Sequence, residues 1–303
     1  MIDEGLFFFE PFTEDFSRHF KVGKIYYQGK TKYQFVQLFH NKVFGKVLFL
    51  DGKIQSAQVD EFIFHESLVH PALITHSAPR KVLIIGGGEG ATLRETLRHS
   101  SVEKAVMVDI DKKLVELCQK HMPEWSEDSF SDPRTQLIFG DARRYIERAR
   151  QKFDVIISDL TEPVRASPSI YLFTKEFFKK VFLNLKKEGV FVLQAGGTDP
   201  YYYQFFTSCA ETLKEIFPLV RPYWTFIFSF GLPWGFILAS KKEDPLELDE
   251  KEISRRIRSR GVKNLKLYHP GFHQSFFSLP AYLIKALRKG RILTDEKPFI
   301  WEA

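Results

Sequence analysis

The segment KVLIIGGGEG, residues 81–90, decides the fold of this chain. A run that suits a buried strand, residues 81–85, leads directly into a glycine-rich turn, and helix-forming residues follow from Ala91. This order is typical of nucleotide-binding α/β proteins, because glycine lets the backbone approach a ligand closely. The same glycines also suit a plain strand-to-helix turn, so the loop alone does not identify a ligand.

The chain beyond this turn alternates apolar runs with amphipathic stretches. Alternating strands and helices predict a doubly wound, mostly parallel sheet, which binds ligands beyond the carboxyl ends of its strands. A late pair of strands is expected after the last helix. The predicted strands are 81–85, 105–109, 135–139, 155–158, 190–194, 224–229 and 235–239, and the predicted helices are 91–98, 112–120, 142–149, 175–185 and 204–217.

The first part of the chain has a different pattern. Short β-like runs at 25–27, 33–38 and 47–50 are separated by turn residues, which predicts a small antiparallel sheet. From residue 60 to about residue 76 the apolar spacing becomes helical. We therefore predict an N-terminal β-domain at 1–59 and a larger α/β domain at 60–303.

The composition excludes several classes of protein. Of 303 residues 44% are hydrophobic and 27% are charged, which is typical of a globular chain, and we expect neither a membrane helix nor a secretory leader. Cys118 and Cys209 form no CxxC pair, so a reducing compartment, the cytoplasm, is expected. His65, Glu66 and His70 share a predicted helix without a third ligand partner, so no metal site is expected.

The net charge of +6 permits an anionic partner such as nucleic acid. The basic residues are spread along the chain, however, and the densest cluster, RRIRSR at 255–260, suits a solvated face of a C-terminal helix. We therefore expect no nucleic-acid partner, although steep salt-dependent DNA binding would reverse that conclusion.

Two acidic residues suggest which nucleoside the glycine loop binds. Asp109 ends the second strand of the α/β domain, where an acidic side chain binds ribose hydroxyls. Glu89 stands where the pyrophosphate of a dinucleotide would lie, and a carboxylate there repels phosphate but suits a cation. The pair favours a sulfonium nucleoside over NAD, and a methyltransferase remains an alternative.

Further acidic and aromatic residues follow the later strands. Asp141 can bind an adenine amine or cap the next helix. Asp159 and Glu162, in DLTEP at 159–163, can form a cleft that binds and deprotonates an amine, or a solvated turn. Trp234 and Tyr223 can form an apolar wall for methylene groups or part of the core.

Together these motifs resemble the polyamine aminopropyltransferases, the family of spermidine, spermine and thermospermine synthases. The resemblance implies aminopropyl transfer from decarboxylated S-adenosylmethionine, a co-substrate, to a polyamine, without a further cofactor. It implies an N-terminal β-domain that gates the acceptor and forms homodimers or homotetramers, before a Rossmann-like, methyltransferase-type catalytic domain. The motifs are LDGKIQ (50–55), DEFIFHE (60–66), GGGEG (86–90), DID (109–111), GDA (140–142) and DLTEP (159–163).

Departures from the spermidine synthase pattern indicate a subgroup. Leu160 and Glu162 replace a serine and an aspartate, Phe64 replaces a tyrosine, and SFGLPWG at 229–235 replaces a Tyr-Pro-Ser-Gly run. DLTEP at 159–163, QAG at 194–196 and Ser229-Phe230 with Trp234-Gly235 resemble thermospermine synthases, in which spermidine is the acceptor. We predict a thermospermine synthase, with a spermidine, spermine or broad-specificity aminopropyltransferase as alternatives.

The resemblance also implies roles for individual residues. Asp159 is the predicted catalytic residue, which accepts the proton of the attacking amine directly or through water. The loss of a tyrosine at Ser229 is expected to widen the acceptor tunnel for a triamine. The predicted nucleoside-binding residues are Gln34, Gly86, Gly88, Glu89, Asp109, Asp141 and Ala142. The predicted acceptor-binding residues are Gln55, Phe64, His65, Glu162, Gln194, Ser229 and Trp234.

Overall fold

The computed structural model describes residues 5–165 and 167–301. Residues 1–4, 166 and 302–303 of the two predicted domains lie outside the described residues. Two small antiparallel sheets come first in the chain: a hairpin of β1 and β2, and a four-stranded meander of β3 to β6. Their bounds are β1 (Phe7–Pro11), β2 (Ser17–Lys21), β3 (Ile25–Lys30), β4 (Phe35–Asn41), β5 (Gly45–Leu50) and β6 (Lys53–Ala57).

The predicted small antiparallel sheet is confirmed, but the hairpin and β6 were not predicted as strands. Charged residues interrupt their apolar patterns, and the structure explains two of these charges. Arg18 on β2 forms a salt bridge with Glu10 on β1, across the hairpin. Glu10 also accepts a hydrogen bond from the Ile54 amide at 3.0 Å, which joins the hairpin to β6.

A seven-stranded sheet forms the centre of the larger part, in the order β12-β13-β11-β10-β7-β8-β9. The five strands from β11 to β9 are parallel, and β13 and β12 add an antiparallel edge. The predicted fold class is confirmed. The bounds are β7 (Lys81–Gly86), β8 (Lys104–Asp109), β9 (Thr135–Phe139), β10 (Phe153–Asp159), β11 (Leu185–Gly197), β12 (Leu219–Ile227) and β13 (Leu232–Ser240).

Helices cover both faces of this sheet, as a doubly wound fold requires. Alternation along β7 supplies both cores: Val82 and Ile84 face α1, α2, α8 and α9, while Leu83 and Ile85 face α5, α6, α7 and α10. The bounds are α1 (Glu61–Thr75), α2 (Ala91–Leu97), α3 (Lys112–His121), α4 (Pro123–Ser126), α5 (Ala142–Arg148), α6 (Lys175–Asn184), α7 (Gln204–Lys214), α8 (Glu250–Ser259), α9 (Pro270–Phe276) and α10 (Ala281–Leu287). Short 3-10 turns span Ser129–Ser131, Ile170–Leu172 and Pro245–Glu247.

The arginine cluster at 255–260, which covers the last turns of α8 and its C-cap, is only in part the solvated helix face that the sequence suggested. Arg256 and Arg260 are buried. Arg256 donates to the carbonyls of Ile74 and Thr75, both at 2.7 Å, and Arg260 donates to the carbonyl of His76 at 2.8 Å. These guanidinium groups satisfy carbonyls that the end of α1 leaves unpaired, so half of the cluster is structural. In the described part of the chain, no helix is long and apolar enough to cross a membrane.

Candidate active site

A cavity of about 330 Å³ lies where the N-terminal meander meets the carboxyl ends of the central strands. This is the edge at which doubly wound sheets bind ligands. Its lining includes Gln34, Glu89, Asp109 and Asp141, which are predicted to bind a nucleoside, and this part is called the nucleoside end after that prediction. The part called the acceptor end, after the predicted roles of most of its residues, is lined by Lys53, Gln55, Phe64, Glu162, Gln194, Phe230 and Trp234. One cavity is therefore lined by members of both sets of residues predicted from the sequence.

Close backbone contacts explain the glycines of the loop after β7. Gly86 has a φ of +82°, and a Cβ there would lie 2.1 Å from the carbonyl oxygen of Asp159. The Gly87 amide donates to that same oxygen at 2.9 Å. A Cβ on Gly88 would lie 3.0 Å from a carboxylate oxygen of Asp109. The loop needs glycine so that β7 can approach both acidic strand ends closely.

Asp109 is held in one orientation at the nucleoside end of the cavity. Its carboxylate accepts a hydrogen bond from the Asp111 amide at 2.7 Å, and burial raises the pKa of Asp109 to about 7. Gln34, from the N-terminal meander, donates its side-chain amide to Asp111 at 3.0 Å. Gln34 and Asp109 are thus brought together through Asp111, although 75 positions separate them in sequence.

Asp141 is a helix cap, one of the two alternatives that the sequence left open, and its predicted contact with an adenine amine stays a prediction. Its carboxylate caps α5 by accepting a hydrogen bond from the Arg144 amide at 3.1 Å. Asp141 is exposed, and both it and Ala142 line the cavity. The carboxylate that caps α5 is therefore also accessible from the cavity.

Asp159 lies immediately behind the cavity wall. Its carboxylate accepts a hydrogen bond from the Thr92 hydroxyl at 2.6 Å, while its neighbours Gly87 and Leu160 line the cavity. Burial and the charge of Glu89 raise the pKa of Asp159 to about 6. A water molecule between this carboxylate and a ligand would give the indirect proton route predicted for Asp159.

Glu162 and Lys53 place opposite charges at the acceptor end. Burial raises the pKa of Glu162 to about 7, and the positive charge of Lys53 opposes that rise. The Lys53 ammonium donates to the Pro11 carbonyl and lies 5.3 Å from the centre of the Phe12 ring, so it also fixes the β1–β2 hairpin. The cavity therefore contains a built-in cation next to a carboxylate.

Aromatic side chains form one wall of the acceptor end. The ring centroids of Phe64 and Phe230 are 6.0 Å apart, and those of Phe230 and Trp234 are 4.8 Å apart. Gln194 accepts a hydrogen bond from the Trp234 indole at 3.1 Å and donates to the Leu160 carbonyl. Gln194 therefore holds the aromatic wall against the turn after β10.

Three further predicted residues, Gln55, Tyr223 and Ser229, differ in whether they line the cavity. Gln55 lines the cavity and donates to the Lys53 carbonyl at 3.3 Å, and Tyr223 is wholly buried in the core. Ser229 does not line the cavity: its amide donates to Asp60 at 2.6 Å behind the wall, and the neighbouring Phe230 lines the cavity. The widening predicted from a lost tyrosine at Ser229 stays a prediction.

His65 also lies outside the cavity lining, with 1% of its side chain exposed. Its ring forms hydrogen bonds with the carboxylates of Glu61 and Glu89, both at 2.9 Å. His65 therefore contacts Glu89 on the side away from the cavity. Burial disfavours the charged ring, but these two hydrogen bonds outweigh that effect and raise the pKa of His65 to about 10. His65 is thus a fixed cation in this site.

Sequence reasoning missed several residues that shape the site. Thr92 supports Asp159, Arg94 supports Glu61, and Lys53 faces Glu162. The i,i+4 spacing of Glu61 and His65 was an available signal, because such residues are neighbours on a helix face. In the described residues, no group of three or more His, Cys, Asp or Glu side chains could hold a metal ion.

The comparisons with known proteins agree with this geometry. The spermine/spermidine synthase domain family matches residues 61–251, and the spermidine synthase tetramerisation domain family matches residues 6–58. Polyamine aminopropyltransferase 2 of Hyperthermus butylicus is 44% identical over 92% of this chain and 91% of its own length. The polyamine aminopropyltransferase of Sulfurisphaera tokodaii is 40% identical over 91% of this chain and 92% of its own.

Solved structures give the same result. A spermidine synthase in complex with the transition state analogue AdoDATO superposes with a TM-score of 0.88 at 33% identity, covering 94% of this chain and 96% of that one. The Thermotoga maritima spermidine synthase has a TM-score of 0.86 at 33% identity, covering 94% and 95%. This chain belongs to the spermine/spermidine synthase family. It is a polyamine aminopropyltransferase.

Proposed function

We propose that this enzyme transfers the aminopropyl group of decarboxylated S-adenosylmethionine to the aminopropyl end of spermidine, releasing thermospermine and methylthioadenosine. The observation that carries the proposal is a single cavity that joins an acid-lined nucleoside end to an aromatic-walled, carboxylate-containing acceptor end. Apolar walls suit methylene chains, and carboxylates suit ammonium groups.

The proposed nucleoside contacts follow from the residues at the nucleoside end. Asp109 accepts the ribose hydroxyls, and Asp141 with Ala142 binds the adenine. Gln34 contributes from the N-terminal meander, and Gly86 and Gly88 allow close approach of the loop after β7. Glu89 pairs with the primary ammonium of the aminopropyl group, which distinguishes the decarboxylated donor from S-adenosylmethionine itself, because the latter carries an additional carboxylate that Glu89 repels.

The chemistry is a direct substitution. The acceptor nitrogen uses its lone pair to form a bond to the methylene carbon, the carbon–sulfur bond breaks, and its electron pair stays on sulfur in methylthioadenosine. A free alkylamine has a pKa near 10, so the bound ammonium must first lose a proton. Asp159 accepts that proton, through water in the geometry described above. Alignment of nitrogen, carbon and sulfur supplies most of the acceleration, and a sulfonium leaving group needs no metal.

Spermidine is the proposed acceptor because the acceptor end suits a long, multiply charged chain. The rings of Phe64, Phe230 and Trp234 line the methylene segments, and Glu162 pairs with an ammonium beyond the attacking nitrogen. Gln55 and Gln194 hold the surrounding backbone. The thermospermine-like DLTEP and QAG motifs support this choice over putrescine.

We also propose a homotetramer, or a homodimer, that works in the cytoplasm. The match of residues 6–58 to a tetramerisation domain supports assembly through the N-terminal sheets. Cys118 and Cys209 are both free and buried, which suits a reducing compartment.

Product analysis tests the proposal. The purified enzyme is incubated with decarboxylated S-adenosylmethionine and, separately, putrescine, spermidine and norspermidine, and the products are separated by a method that resolves thermospermine from spermine. Thermospermine from spermidine, with little product from putrescine, is the expected result. Spermidine formed from putrescine, or spermine formed from spermidine, would overturn the proposed specificity. Turnover of S-adenosylmethionine itself would indicate a methyltransferase.

A further inference from the structure

A row of alternating charges leads from the cavity into the interface between α1 and α2. His65 donates to Glu89 and to Glu61, both at 2.9 Å, and Arg94 donates to Glu61 at 2.9 Å from the other side. Arg94 also donates to Glu95 at 2.9 Å. All of these side chains are largely buried, from 14% exposed for Glu89 and 11% for Glu61 to 1% for His65. These five residues are called the charge row below.

With Glu61 and Glu89 ionised, the geometry requires a doubly protonated His65. Its Nδ1 faces the carboxylate of Glu61 and the Glu61 backbone carbonyl, at 2.9 Å and 2.7 Å. Its Nε2 faces the carboxylate of Glu89. Carbonyl and carboxylate oxygens only accept hydrogen bonds, so both ring nitrogens must carry a proton. The ring is therefore an imidazolium that fixes one oxygen of Glu89.

Arg94 in turn restricts Glu61. One terminal nitrogen of its guanidinium contacts both carboxylate oxygens of Glu61, at 2.9 Å and 3.2 Å, and the other donates to the Trp125 carbonyl at 2.7 Å. Removal of one member of a buried ion pair leaves an uncompensated charge, which the neighbouring groups must accommodate by moving or by changing protonation. A change at Arg94 would thus be transmitted through Glu61 and His65.

We propose that Glu61 and Arg94 are positioning residues that act through His65 to aim the Glu89 carboxylate at the primary ammonium of the aminopropyl donor. This inference rests on the donor contact proposed above for Glu89. Neither residue lines the cavity. Their effect is therefore expected on the affinity for the donor and not on the affinity for the acceptor amine.

Steady-state kinetics of Glu61→Gln and Arg94→Met, with each substrate varied in turn, test the proposal. We expect the KM for decarboxylated S-adenosylmethionine to rise at least about tenfold, with the KM for spermidine within about threefold of wild type. Arg94→Lys keeps the charge and is expected to recover part of the donor affinity. Equal rises in both KM values, or no rise, would overturn the proposal.

Arg98→Met is the matched control. Arg98 is the C-cap residue of α2 and pairs with Glu95, at the end of the charge row farthest from Glu89, but it does not contact Glu61. We expect its donor KM to stay near the wild-type value, and a rise equal to that of Arg94→Met would contradict the specific path. Glu89→Gln distinguishes the proposed Glu89 contact with the donor from the positioning role of Glu61 and Arg94. An unchanged donor KM in Glu89→Gln would refute the Glu89 contact itself. A raised KM there, with normal Glu61 and Arg94 variants, would refute only the positioning role.

Nuclear magnetic resonance of the wild-type protein gives a test that does not depend on the folding of variants. With ¹⁵N-labelled histidine, assigned by comparison with His65→Asn, we expect both ring nitrogens of His65 to remain protonated from pH 6 to pH 8.5. A His65 ring that loses a proton below pH 7.5 would contradict the charge row.

Discussion

The hydroxyl of Thr92 and the carboxylate of Asp159 are joined by a 2.6 Å hydrogen bond between the first turn of α2 and the end of β10. Thr92 is completely buried, and threonine has few χ1 rotamers, so its hydroxyl fixes one orientation of the carboxylate. The bond favours the ionised form of Asp159, while burial and Glu89 favour the protonated form. The pKa of Asp159, the proposed proton acceptor, is therefore subject to opposing influences.

Asp159→Asn is expected to lower kcat by about 100-fold or more, because an amide still accepts the Thr92 hydrogen bond but does not accept a proton from the amine. Nucleoside affinity, measured by calorimetry with the product methylthioadenosine, should stay near wild type. Asp154→Asn on the same strand is the control, since Asp154 binds the amides of Arg80 and Lys81 far from the cavity. A near-normal kcat in Asp159→Asn would remove Asp159 from the mechanism.

The pH dependence of kcat/KM is expected to depend on the Thr92–Asp159 hydrogen bond. With a pKa of about 6 for Asp159, kcat/KM should fall as the pH drops below 6, because the protonated carboxyl no longer accepts a proton. Thr92→Val removes a contact that lowers this pKa, so the acidic limb should move to higher pH. Thr96→Val is the control, because the Thr96 hydroxyl binds only the Thr92 carbonyl one turn away. Identical acidic limbs in wild type and Thr92→Val would contradict the expected link.

The sequence was sufficient to predict the α/β fold because each central strand is a local signal. Ile84 and Ile85 are buried on opposite faces of one strand, so β7 is apolar from Val82 to Ile85, and its glycine turn marks the strand end. The strand ends then placed Asp109 and Asp159 at one edge of the sheet, where both are found.

Side-chain direction was the part that sequence patterns did not supply. Ser229 was expected in the cavity, but β12 ends at Ile227, and the following turn directs Phe230 there instead. His65 was expected to contact the acceptor, yet its helix faces Glu89 and so places the ring behind it. Such outcomes depend on contacts between segments that are distant in the chain, which local periodicity does not encode.

Asp109→Asn is expected to change the pH dependence of stability in the ligand-free protein. The folded pKa of Asp109 is about 7, against roughly 3.9 in an unfolded chain, so its stabilising contribution is complete below pH 4 and is lost as the pH rises to 7. Between pH 5 and pH 8 this loss is about 2–3 kcal/mol in wild type and absent in Asp109→Asn. Urea unfolding at both pH values measures the difference. Parallel losses in the two proteins would show that Asp109 ionises normally.

Lys53→Met is expected to change which amines the enzyme accepts. Lys53 lines the acceptor end, where its charge acts on Glu162 and repels a bound polycation. Without it, a triamine should gain more affinity than a diamine, because repulsion grows with the charge of the ligand. We expect the KM for spermidine to fall by about three- to tenfold at pH 8.5, with a smaller fall for putrescine. Lys53→Arg keeps the charge and should retain the wild-type ratio. Equal changes for both amines would show that Lys53 acts only by fixing the β1–β2 hairpin through Pro11.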